Sequence, residues 1–115
     1  MPDNAQDPVV TDPELYSVAF ENERVRVLRY HDHPGDRTHP HEHPDSVMVT
    51  LSSFDRRLVH GDQEMTVSMP SGEIRWLDAQ AHAGENVGGT DTVTVFIELK
   101  EPAPEGSAGR LGPRA

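Results

Sequence analysis

The residues with the most chemistry in this chain are its histidines. Seven occur in 115 residues. Four of them fall in two short segments, Thr38-His39-Pro40-His41-Glu42-His43-Pro44-Asp45 and Ala81-His82-Ala83-Gly84-Glu85-Asn86. His31 and His33 lie just upstream of the first. On an extended strand side chains alternate, so His41 and His43 present both imidazoles to one face. A third histidine on a neighbouring strand completes a facial three-nitrogen set for a divalent metal. Imidazole suits zinc, iron, copper and nickel.

The elements that must position these groups read as strands. Val93, Val95, Ile97 and Leu99 alternate with Thr92, Thr94, Phe96 and Glu98, which predicts a half-buried strand with one apolar face. Val47, Val49 and Leu51 alternate in the same way. Arg24-Val25-Arg26-Val27 starts as a clean alternation and changes parity at Leu28 and Tyr30, the mark of a bulge or of burial on both faces. Gly61-Asp62 predicts a hairpin turn between Arg57-Leu58-Val59 and Met65-Thr66-Val67. Pro70-Ser71-Gly72 predicts another before Ile74-Arg75-Trp76-Leu77. Short strands at regular spacing, with no helical repeat, predict an antiparallel sandwich or small barrel. His41, His43, Val47, Val49 and Leu51 share parity, so an unbroken strand through them aims both histidines into the apolar interior. Pro44 is where such a strand would break.

These residues resemble the cupin superfamily of small β-barrels. Its first motif is a Gly, five residues, HxH and then a Glu. Here Gly35 precedes His41-Glu42-His43 at that spacing, while Val47 or Met48 stands where the Glu belongs. The later Gly of that motif, expected near Phe54 or Asp55, is also missing. The second motif is a Gly, a Pro-x-Gly, then His and, after three residues, Asn. Gly72, His82 and Asn86 match it, with Asp78 in place of the Pro, Gln80 in place of the Gly, and a gap one residue short. The resemblance covers roughly residues 20–100. It implies an all-β double-stranded β-helix (jelly roll) with His41, His43 and His82 as metal ligands. Three neutral imidazoles leave a divalent ion its full charge and open positions, which catalysis uses. A fourth ligand could come from His39, Asp45 or Glu85. Glu85, close to His82, is also the candidate general base or carboxylate behind a ligand.

Other residues are expected to do less. His31, His33 and His39 read as surface residues, His60 as part of a hairpin and Asn86 as a turn residue. Trp76, Met48, Met65 and Met69 read as core filling, and Arg37 and Arg75 as solvated. With no cysteine there is no disulfide or thiolate site, and no nucleophile constellation appears.

The chain is one domain. Residues 1–13 and 101–115 hold six of the ten prolines and read as flexible arms around a barrel spanning 14–100. The formal charge of −10 argues against nucleic-acid or acidic-membrane partners. No secretory leader or membrane span is legible, so the expected location is the cytoplasm. The expectation is therefore a cupin-type barrel of about eight to eleven strands, a homodimer through an exposed edge strand. It would use a divalent transition metal (Fe, Zn, Ni or Mn) as an oxygenase or an isomerase/hydrolase on a small polar or anionic molecule. The alternative is a non-catalytic ligand-binding or metal-binding barrel, or a structural dimer with a vestigial site.

Overall fold

A computed structural model describes residues 6–102 and 111–114. Its elements are α1 (Pro8–Thr11), β1 (Tyr16–Glu21), β2 (Val25–Asp32), β3 (His41–His43), β4 (Ser46–Thr50), β5 (Phe54–His60), β6 (Gln63–Met69), β7 (Ile74–Leu77), β8 (Gln80–Asn86) and β9 (Thr92–Leu99). Every strand pair is antiparallel. One sheet runs β1-β2-β9-β4-β7 and the facing one β3-β8-β5-β6. Together they form the expected all-β jelly roll, and the core lies between them. It is built from Tyr16, Leu28, Tyr30, Met48, Phe54, Met69, Leu77 and Phe96. Gly35 and Gly72, the two motif glycines, turn the chain with φ of 89° and 88°, a conformation that costs other residues a clash at Cβ. Among the described residues no helix is long and apolar enough to cross a membrane.

The strand periods are as read, but two faces are reversed. In β9 the side chains turned inward are Thr92, Thr94, Phe96 and Glu98, and Val93, Val95, Ile97 and Leu99 face outward, half-buried. In β4 the inward set is Ser46, Met48 and Thr50. Pro44 and Asp45 separate β3 from β4, and the parity shared by His43 and Val47 is lost across that break. β2 has no bulge. Its Val25 and Val27 face outward while Leu28, Tyr30 and Asp32 face inward, so each of its faces carries apolar residues beside charged ones. The register shift lies in β1, between Val18 and Phe20. Trp76, expected in the core, is half-buried on the outer face, whereas Met48 and Met69 are core residues.

The arms are also more structured than their composition predicts. Asp7 caps α1 by accepting the Val9 N–H at 3.0 Å, as a short polar residue does at a helix start. Asp12 is buried and accepts from the backbone N–H of His39. At the other end, Arg114 bridges to Trp76 at the β7 edge. What composition misses is that each short segment carries polar partners for groups the barrel would otherwise leave unpaired. The rest of both arms, residues 1–5, 103–110 and 115, lies outside the described residues.

Candidate metal centre

β3 and β8 pair so that His41 sits directly opposite His82, and His43 opposite Gln80. The pleat turns His41, His43 and His82 into the barrel, where all three are buried. Their donor nitrogens lie within 4.8 Å of one another. Burial lowers the pKa of each, more for His43 and His82 than for His41. The imidazoles are therefore neutral, which is the state that binds metal.

The outer nitrogens decide which inner ones carry lone pairs. His41 Nδ1 lies 2.8 Å from the His39 carbonyl oxygen, which can only accept. The proton is on Nδ1, and Nε2 points inward bare. His82 Nδ1 lies 2.8 Å from Gln80 Oε1, and that oxygen also accepts the Gly112 N–H at 3.0 Å. Its Nε2 is bare too. Gln80, a departure from the family motif, thus orients the third histidine. Behind His43 stands Glu98, with Oε2 3.6 Å from His43 Nδ1. Its other oxygen accepts from Arg26 at 2.8 Å, and Arg26 in turn pairs with Asp7 at 2.8 Å. Burial raises the Glu98 pKa, and Arg26 works against that rise.

The donor set fits a divalent cation. His43 Nε2 lies 3.0 Å from His41 Nε2. A proton between them must come from His43 Nε2, because His41 already holds its own on Nδ1. That leaves His43 Nδ1 bare against Glu98, and both His43 Nδ1 and Glu98 Oε2 are buried without a hydrogen-bond partner. Unpaired buried polar groups are costly. A cation shared by the three Nε2 atoms removes the conflict, since His43 then carries its proton on Nδ1, aimed at Glu98. Imidazoles backed by carbonyl or carboxylate oxygens are how proteins usually present a metal.

The remaining candidates do not join them. Glu85 is on the outward side of β8, paired with Arg57 at 3.3 Å and with Arg37 at 3.8 Å. It is neither a general base nor a ligand here, because residues one and three places from inward-facing His82 and Gly84 must face out. Asp45 accepts the Ala79 N–H at 2.8 Å. His39 is turned away from the site and holds Asp12. Asn86, read as a turn residue, is buried and donates to Asp32 at 3.0 Å.

Beside the histidines is a cavity of about 50 Å³, lined by Tyr16, Tyr30, Arg56, Thr94 and Phe96 among others. The Tyr16 hydroxyl lies 3.5 Å from His41 Nε2. Burial raises its pKa well above the usual phenol value, so it keeps its proton. Arg56 is matched by Asp32 at 2.6 Å and donates to the Tyr30 hydroxyl at 3.2 Å. Tyr30 itself donates to Asp32. Sequence reasoning missed Tyr16, Arg56 and Glu98. Strand alternation groups Arg56 with Phe54 and Leu58 on β5 and Glu98 with Phe96 on β9, but only the fold shows that these are the inward faces.

No protein-family model matches the chain, and no curated protein does. Solved structures do. A cupin domain from Bordetella pertussis is 28% identical with a TM-score of 0.70, over 76% of this chain and 93% of that one. A conserved protein with a double-stranded β-helix domain from Klebsiella pneumoniae is 22% identical with a TM-score of 0.60, over 86% and 81%. A predicted oxalate decarboxylase from Thermotoga maritima is 17% identical with a TM-score of 0.52, over 73% and 78%.

Proposed function

Starting from a small cupin-type protein, we propose that this chain holds one divalent transition metal on His41, His43 and His82. We further propose that it uses that metal to transform a small polar or anionic molecule. The observation that carries this reading is the convergence of three neutral imidazoles whose outer nitrogens are backed by oxygen. Iron, zinc and nickel suit such an imidazole set, and manganese, which prefers oxygen ligands, suits it least. When bound, the ion would supply Lewis acidity and open positions for water, O2 or substrate.

The chain's own residues do the rest. Arg56 is already neutralised by Asp32, so an anionic group is drawn to the metal side of the cavity rather than to a free cation. Tyr30, Phe96 and Met48 give the other walls an apolar surface. The Tyr16 hydroxyl, next to His41 Nε2, holds a proton it can donate to an oxygen of the bound molecule. With the ion bound, Glu98 would face a proton on His43 Nδ1 and so favour the ligating tautomer. The cavity of about 50 Å³ has room for only a few non-hydrogen atoms beyond a metal ion. The predicted oxalate decarboxylase from Thermotoga maritima supports a small oxygen-rich substrate by analogy of fold only. The cytoplasm remains the expected location.

The small cavity also favours one alternative, a barrel that captures a metal or small ligand without turnover. Oxygen uptake by the Fe(II)-loaded protein, and isomerisation or hydrolysis by the Zn, Ni and Mn forms, against a panel of small carboxylates, separates the two. Turnover above that of the free ion supports the enzyme. Binding of azide to the metal with no turnover of any panel member favours the capture role.

A further inference from the structure

Residues 111–114 cross from one sheet to the other beside the third histidine. Arg114 pairs with Trp76 on β7, the edge of the five-stranded sheet, through backbone hydrogen bonds of 2.7 and 2.8 Å. Its guanidinium reaches Asp78 Oδ1 at 2.9 Å, and Trp76 Nε1 donates to the same oxygen at 2.9 Å. Two residues earlier, Gly112 is buried against the other sheet, where a Cβ would lie 2.6 Å from Met65 Sδ on β6 and 3.5 Å from Leu58 on β5. Between them, Pro113 lines the cavity together with His82 and Leu77. Proline carries no N–H, so it can face that space without leaving a donor unpaired. We propose that this segment belongs to the metal centre, with Gly112 as the positioning residue that fixes which nitrogen His82 turns to the metal. The proposal rests on the reading of His82 as a ligand.

Gln80 stands between Gly112 and His82. Its Oε1 accepts from His82 Nδ1 at 2.8 Å and from the Gly112 N–H at 3.0 Å, and its Nε2 donates to the Asp78 carbonyl oxygen at 2.9 Å. A side-chain amide has one accepting end and one donating end. Turned over, it would aim Nε2 at the Gly112 N–H, donor against donor, and Oε1 at the Asp78 carbonyl, acceptor against acceptor. Gly112 and Asp78 therefore each hold the oxygen towards His82. An oxygen there keeps the proton on Nδ1 and leaves Nε2 bare for a cation. An amide nitrogen there would select the opposite tautomer and close Nε2 with a proton. The other two backing groups carry no such risk. The carbonyl behind His41 cannot turn over, and the carboxylate behind His43 accepts with either oxygen. Only Gln80 can present the wrong end, and it is the group that residue 112 secures. The backbone explains the residue type at that position, because φ at Gly112 is 82°, a value that residues with a Cβ seldom adopt.

Long-range nitrogen–proton NMR of the metal-free, full-length protein, wild type beside Gly112→Val, reads the His82 tautomer directly. The wild type should carry the proton on Nδ1. Valine is strained at a positive φ and meets the Met65 sulfur, so the segment should leave its place and the two tautomers should become mixed. Adding Gln80→Glu, whose two oxygens both accept, should restore the Nδ1 form with the segment still displaced. A merely structural loss would not be rescued in this way. Zinc affinity by chelator competition should fall about tenfold in Gly112→Val, the lower end of what a group behind a ligand contributes, and recover in the double variant. An unchanged tautomer in folded Gly112→Val overturns the proposal, as does a mixture that Gln80→Glu leaves uncorrected. If Gly112→Val does not fold, amide hydrogen exchange of the wild type decides. Coupling between sites is reciprocal, so zinc should slow exchange at the Gly112 amide by a similar factor, and exchange that zinc leaves unchanged counts against the proposal. A wild type that takes up no zinc contradicts the metal reading instead, and the tautomer of the metal-free protein still decides the role of Gly112.

Discussion

The molecule contains two histidine clusters, and their difference shows what turns residue types into a site. His41, His43 and His82 are buried, and each Nδ1 faces an oxygen acceptor outside the cluster, leaving the Nε2 atoms to converge. His31 and His33 also form an HxH pair, at the exposed end of β2. Their partner Asp91 sits on the converging nitrogens themselves, 3.0 Å from His31 Nε2 and 2.9 Å from His33 Nδ1. In the first cluster, burial pushes the pKa values down. In the second, the hydrogen bond to Asp91 pushes that of His33 up. The inner cluster offers lone pairs, while the outer one spends its nitrogens on a carboxylate.

The sharpest way to probe this contrast is to change the carboxylate behind one cluster. Glu98→Gln keeps the shape of the side chain and removes the charge facing His43. Loss of such a backing group costs about 10- to 100-fold in metal affinity. Competition titration against a coloured chelator should show a loss near the lower end of that range, since the amide oxygen still accepts. Unchanged affinity would break the claim that Glu98 orients His43.

Acid should separate the clusters next. Below about pH 6.5 the unfolded chain takes up protons that the folded inner histidines refuse. Stability of the metal-free protein is thus unaffected by this cluster above that pH and falls as the pH drops beneath it. His33 has the opposite sign, because its contribution is present at low pH and lost as pH rises through its raised pKa. Urea midpoints of the metal-free protein from pH 8 to pH 5 should fall on the acid side, and His41→Gln should flatten the decline. A midpoint that stays level would mean the inner histidines are not held neutral.

Smaller still is the effect of Asp91→Asn. It should return the His33 pKa toward the ordinary value in an NMR titration while metal content and fold stay the same. A lost metal equivalent would show that the exposed cluster also binds.

Much of this arrangement was legible beforehand. Period-two alternation placed His41 and His43 on one face, and the motif spacing brought His82 to them. The roles of Glu98 and Tyr16 were not legible, for a physical reason. Alternation defines two faces of a strand without saying which is inside, and polarity decides only when the outer face is solvated. In β9 the outer face carries Val93, Val95, Ile97 and Leu99, so Glu98 read as solvent-facing although it stands behind His43. Asp7 and Asp12 were hidden similarly. Short proline-rich segments read as arms, and only the tertiary fold shows that Asp7 steadies Arg26.

The central claim is that three histidines make one metal site. Elemental analysis of untagged protein, wild type beside His41→Ala and His82→Ala, after anaerobic loading with iron, manganese, nickel or zinc and removal of free ion, tests it most directly. The account predicts about one metal per chain in the wild type, lost in both variants although each still folds. A wild type that retains no metal, or a full equivalent surviving in both variants, would contradict it.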